Sequence, residues 1–202
     1  MPNTSEQRQQ ILAGPILRRM EPTRLVIWLA SQSPLEFRLQ LSVDHDDWQS
    51  VIPVTHHPVR VGERCYLHLL SFTPATPLPQ DVFIEYDLQW QDEHSANWHG
   101  LTDWAKDAAQ PGRSLPRFVL RSRMDKLLHG SCRKPHHASD DGMVTAANWL
   151  AKRSEQPDQW PGALLLSGDQ VYVDDVAGPM LTAIHQLISK LGLYPETIEG
   201  AL

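Results

Sequence analysis

LLLSGDQVYVDD, Leu164 to Asp175, decides how this chain is read. A short apolar run ends in Ser167-Gly168, and Asp169 follows at once. Buried parallel strands read as continuous apolar runs, so this one delivers a carboxylate to the rim of a sheet. Ligand-binding and catalytic groups collect at that rim in open α/β sheets. Gly168 lets the backbone turn. Tyr172 stands three residues beyond Asp169, and Asp174 and Asp175 close the stretch.

Upstream lies a second run of the same kind. LLHGSCRKP, Leu127 to Pro135, ends in Gly-Ser-Cys. Asp140 or Asp141 then caps a predicted helix of about three turns through Arg153. Strand, helix, strand is a βαβ unit with a right-handed crossover. Pro179 opens a last helix with Leu181, Ile184, Leu187, Ile188 and Leu191 as its apolar stripe, and Gly192 ends it. RFVLRS, Arg117 to Ser122, is the first strand of this part.

The first half has a different period. Leu35, Phe37, Leu39, Leu41 and Val43 alternate with Glu36, Arg38, Gln40 and Ser42, which marks a strand with one wet face. RLVIWLAS from Arg24, Arg64 to Phe72 (Cys65, Leu67 and Leu69 on its core face) and Val82 to Trp90 are further strands. Met1 to Gln10 is expected to fray, and Asp44 to Asp47 to form a solvated turn. His94, Trp98, His99 and Trp104 are expected to pack over the edge of the fold, a ligand-stacking role staying open. Short strands with Pro and Asp turns and no clear helix indicate a β-sandwich. The predicted fold is thus two-part: a β-sandwich of the immunoglobulin/fibronectin kind over 1–115, and the opening βαβα of an α/β domain over 116–202.

Composition narrows the function classes. The 202 residues carry 24 acidic against 18 basic side chains, a formal net charge of −6, with no basic stripe to suit a nucleic acid. No apolar run reaches membrane-spanning length. The polar MPNTSEQRQQ and the two cysteines, Cys65 and Cys132, set the expectation of a cytoplasmic chain, with peripheral membrane attachment left open.

The βαβ geometry brings the candidate site together. Cys132 and Asp169 both stand just past the ends of parallel strands, which lie roughly 5 Å apart if adjacent or 10 Å with one strand between. Tyr172 folds back toward the same point. A thiolate, a carboxylate and a phenolate make an anionic pocket that calls for a cation. The hard oxygen donors suit iron(III), whereas zinc more often takes paired Cys and His.

HGSCRKP followed by GDQVYVDD resembles the PhoD-like alkaline phosphatase/phosphodiesterase family, a branch of the calcineurin-like metallophosphoesterases. The resemblance covers Leu127 to Leu191 by motif and the first half by architecture. It implies a metal-dependent phosphoric ester hydrolase with Cys132, Asp169 and Tyr172 as metal ligands. It further implies iron(III) with calcium as the metals, other divalent ions staying possible, and a phosphate mono- or diester as substrate. Arg133 is expected to meet the substrate phosphate, since guanidinium forks suit phosphate oxygens. Two departures stand out. Ser131-Cys132 replaces the superfamily's Asp-x-His, as in the PhoD-like branch, and no Gly-Asn-His-Asp/Glu segment or later metal-binding histidine is present. The expectation is therefore the front portion of a longer enzyme, inactive alone, with the remainder of its α/β domain missing.

Each residue also has a plainer use. Asp169 serves equally as a turn cap, Cys132 as a small buried residue and Tyr172 as packing. Asp174 and Asp175 are either outer groups of the site or caps of the Pro179 helix. His129 reads as a satisfied core histidine, and His136 and His137 as loop residues. The competing function is a non-catalytic β-sandwich binding module with a vestigial phosphatase fragment.

Overall fold

Alternation puts Phe37, Leu39 and Leu41 on one side of their strand, and burial there is what the sandwich is built from. The computed structural model describes residues 10–43, 47–92, 95–134, 137–170, 172 and 176–197. Residues 1–9 of the expected fray, 44–46 of the turn expected over Asp44 to Asp47, His94, His136, Asp174 and Asp175 lie outside these, and Asp47 opens a strand instead.

Eight strands precede the first helix: β1 (Ile11–Glu21), β2 (Arg24–Ser31), β3 (Glu36–Val43), β4 (Asp47–Val51), β5 (Pro53–Thr55), β6 (Val59–Gly62), β7 (Cys65–Phe72) and β8 (Phe83–Gln91). A single turn of helix, α1 (Leu101–Trp104), precedes β9 (Arg117–Val119). One antiparallel sheet runs β1-β2-β7-β5, with β6 also on β7, and the other runs β4-β3-β8-β9. Their inner faces share one core. Leu25, Ile27, Leu29, Leu70 and Phe72 from the first sheet meet Leu39, Leu41, Ile84, Leu88 and Phe118 from the second. The molecule is mostly β-sheet with few helices, and this part is sandwich-like.

Three features differ from the sequence reading. β1 was hidden because its pairing with β2 shifts register three times, which destroys any period of two. On β7 the inward side chains are His68, Leu70 and Phe72, while Leu69 faces water. An inward histidine is tolerated because both its ring nitrogens are hydrogen-bonded. β9 belongs to the sandwich: it pairs with β8, and Phe118 and Leu120 are buried between the sheets. The sandwich therefore continues to about residue 120, past the expected boundary at 115.

The second part is β10 (Leu127–Gly130), α2 (Gly142–Ala151), β11 (Ala163–Leu166) and α3 (Gly178–Leu191). β10 and β11 pair in parallel, with Leu127 opposite Ala163 and Gly130 opposite Leu166. Asp141 caps α2 through the Met143 amide. Beyond Leu120, only Trp160 and Leu191 are buried among the described residues. Both stand where this part meets the sandwich. Trp160 packs edge-on against Phe83 at 5.1 Å. The Leu191 and Gly192 carbonyls accept from the Arg64 and Glu63 amides, both at 2.9 Å. Gly192 ends α3 in the left-handed region at φ 58°, which turns the chain onto the β6–β7 corner.

Truncating a core leucine should thus discriminate the two parts. Leu88 is 0% exposed in β8 and Leu166 is 42% exposed in β11. Leu88→Ala is expected to cost about 2–5 kcal/mol in urea unfolding, and Leu166→Ala less than about 1 kcal/mol.

Candidate functional site

The rim at the C-terminal ends of β10 and β11 is made by the backbone before any side chain acts. The Ser167 amide donates to the Gly130 carbonyl at 3.0 Å, and the Cys132 amide to the Gly168 carbonyl at 3.1 Å, so the two segments stay in register past the strands. The strands are direct neighbours, which settles the spacing left open by the sequence.

Cys132 and Asp169 then occupy matching positions in an uncommon conformation. Their φ values are +54° and +52°, both in the left-handed region, where a side chain costs energy. Gly168 at φ +139° takes a conformation glycine alone adopts readily. The result turns both side chains toward one point. Cys132 Sγ donates to Asp169 Oδ2 at 3.4 Å, and Ser131 Oγ lies 3.4 Å from the same sulfur. Both Cys132 and Asp169 are exposed. Strained non-glycine residues held at a sheet rim are characteristic of functional sites.

A cavity of about 510 Å³ opens beside them, lined by Cys132, Arg133, Lys134, Asp141, Gln170 and Tyr172 among others. Tyr172 is half-buried there, with the Lys134 ammonium 6.0 Å from its ring centre. Arg133 reaches the cavity but its fork is engaged: Nε donates to Asp141 Oδ1 at 3.2 Å and Nη2 to Oδ2 at 2.7 Å. That guanidinium, with the Met143 amide behind it, holds the Asp141 carboxyl below its ordinary range. Asp141 thus joins a helix cap to the positioning of the one arginine expected at substrate.

The structure brings Cys132 and Asp169 together, and Cys132, Arg133 and Tyr172 line one cavity beside them. His129, expected in the core, is exposed instead, with Nε2 2.8 Å from Ser167 Oγ. Among the described residues the two-stranded β10–β11 ladder leaves this ring in solvent. His137 stays in the loop, 2.9 Å from Ser139 Oγ. The aromatic loop packs as expected: His99 stacks on Trp90 at 4.4 Å, and Arg38 covers Trp98 at 4.3 Å. Among the described residues no group of three His, Cys, Asp or Glu side chains is gathered for a metal.

Sequence reasoning missed a polar chain inside the sandwich, Ser31, His68 and His56. One signal was available: His68 shares the period-two face of Leu70 and Phe72. No protein-family model matches the chain, and no curated protein matches it.

The left-handed pair gives a direct test. Cys132→Val should be less stable than Cys132→Gly by about 1–2 kcal/mol, because a β-branched residue resists positive φ. Equal unfolding midpoints for the two variants would show that the rim backbone relaxes freely.

Proposed function

We propose that this chain carries the opening portion of a metal-dependent phosphoric ester hydrolase of the PhoD-like kind. The observation that supports the reading most is the meeting of Cys132 and Asp169 at the ends of paired parallel strands. Their 3.4 Å separation suits two donors on one ion, since metal bonds of 2.0–2.3 Å place neighbouring donors roughly 3–3.6 Å apart. Tyr172 lines the same cavity and supplies a hard phenolate, so the donor set fits iron(III). Asp169 keeps a second oxygen for a calcium ion, which takes oxygen ligands only. When bound, the metals would polarise the ester and lower the pKa of the attacking water.

The chain's own residues would perform the remaining tasks. The two left-handed residues hold the Cys132 sulfur and the Asp169 carboxylate at fixed spacing. Arg133 would exchange one anion for another, giving up the Asp141 carboxylate for substrate phosphate oxygens of the same fork geometry. Lys134 lies over the Tyr172 ring and adds a cation to the same cavity wall.

The unburied surface of this part supports its being an opening portion. Leu127, Leu164 and Leu165 are exposed on β10 and β11, as are Leu181, Ile184, Leu187 and Ile188 on α3. Parallel sheets are stable when both faces are covered, so these faces await further strands and helices. The same observation favours a second reading, a sandwich used for binding beside an inactive fragment.

Equilibrium dialysis against iron(III) separates the two. The proposal expects about one iron per chain with a visible phenolate-to-iron absorption band. Tyr172→Phe should abolish the band, and Asp169→Ala should lose the iron while keeping the cooperative unfolding of the sandwich. Absence of stoichiometric iron in the unaltered chain would favour the binding module.

A further inference from the structure

Two buried polar groups and a half-buried histidine form a chain at the edge of the apolar sandwich core. Ser31 and His68 are both fully buried. Ser31 Oγ lies 2.6 Å from His68 Nε2, and His68 Nδ1 lies 2.8 Å from His56 Nε2. Ser31 Oγ also lies 2.5 Å from the Ser33 carbonyl oxygen.

The protons on this chain can be placed by elimination. A carbonyl oxygen only accepts, so the single Ser31 hydroxyl proton goes to Ser33. Ser31 Oγ must then accept from His68, which puts the His68 proton on Nε2. His68 Nδ1 is left as an acceptor, so His56 donates from its own Nε2. Every proton runs one way, from His56 through His68 and Ser31 to Ser33.

His56 belongs to the segment that joins β5 to β6 on the open side of β7. That segment has little else to hold it. Pro53 and Pro58 cannot donate, Val54 and Val59 are exposed, and the β5 and β6 ladders each break register. Its inward anchor is the His56 ring, which lies against His68 and meets the edge of Phe37 from the facing sheet at 5.4 Å.

We propose that the Ser31–His68–His56 chain is an acid-opened latch that fastens the 53–58 edge of the sandwich while the His68 imidazole is neutral. A first proton on His56 enters at Nδ1 and leaves the chain intact. A second must enter His68 at Nδ1, where it opposes the proton on His56 Nε2. Two donors then face each other across 2.8 Å, and the bond to His56 breaks. The freed edge exposes the backbone of β7 for pairing with another strand.

The surroundings add no negative charge among the described residues. On the same segment His57 works against a charge on His56. β7 presents His68 itself and Tyr66, which lies opposite Ser31 beneath Arg60. β2 presents Ser31 and Leu29, and β3 presents Phe37. No carboxylate among the described residues bears on the pair. Burial, followed by the charge of His56, pushes His68 down to about 4, and burial lowers His56 as well. The folded state thus prefers the neutral rings. Their stabilisation is complete above the ordinary histidine value near 6.5 and is lost as pH falls toward 4.

Nitrogen-15 NMR of the full chain tests both the proton order and the latch. At pH 7.5 both rings are expected as neutral Nε2–H tautomers; an Nδ1–H tautomer at His68 would overturn the assignment. Between pH 7.5 and 4.5, amide exchange corrected for its intrinsic rate should speed up roughly tenfold in 54–57, the equivalent of one hydrogen bond, and stay constant at Leu39 and Leu88. His56→Ala, at a half-buried position, should show the fast exchange already at pH 7.5. Exchange in 54–57 that ignores acid, or a His56→Ala variant as protected as the unaltered chain, would overturn the latch.

Discussion

Leu25, Ile27 and Leu29 on β2 lie against Leu39 and Leu41 on β3 and Ile84 and Leu88 on β8, all essentially without solvent contact. Fully burying a side chain of this kind contributes about 1.5–3 kcal/mol, and no comparable set exists elsewhere among the described residues. Everything else is placed relative to these two faces. β9 extends the second sheet and hands the chain to Arg121, whose guanidinium bonds Asp81 at 2.9 Å and Asp125 at 3.3 Å. Arg113 and Arg117 reach Glu155 at 2.6 and 3.2 Å from the sandwich side. The α/β part is thus held by a small number of polar ties and by Trp160 and Leu191, while the leucines of β11 remain exposed.

That asymmetry bears on the site. The Cys132–Asp169 contact depends on backbone geometry, not on burial. Two parallel strands in register deliver both residues to one level, and both adopt left-handed backbone angles that aim them together. In an exposed setting the contact itself adds little, because water screens it. The positional information is nevertheless complete in β10, β11 and the two turns that follow. Rigid elements with strained turns are how folds hold reactive groups at fixed separation.

Much of this was legible in the chain. β2, β3 and β8 announce themselves by composition or by strict alternation, and the cap of α2 by Asp141. The strand ends carrying Cys132 and Asp169 are visible as apolar runs that stop at glycine. What was not legible has physical causes. β1 is bulged, so it has no simple period. β9 is three residues long, and only its partner says which sheet owns it. The face of β7 turns on whether a histidine can be satisfied indoors, which depends on Ser31 and His56 from far along the chain. The hold of Asp141 on Arg133 was equally hidden, since the capping role of Asp141 predicts nothing about a side chain eight residues earlier.

The exposed leucines of β10 and β11 and the exposed donors at their ends are linked by one requirement. A leucine left about half exposed forgoes roughly 1 kcal/mol of its burial energy. A carboxylate and a thiol in water forgo the low dielectric that makes electrostatic contacts strong. A layer packed on the faces of this ladder would bury the leucines and, in the same step, lower the solvent exposure around Cys132 and Asp169. Enclosing these side chains and stabilising the α/β part are then one event. The sandwich core is buried already, and its own polar chain around His68 lies within that part and draws no residue from the rim.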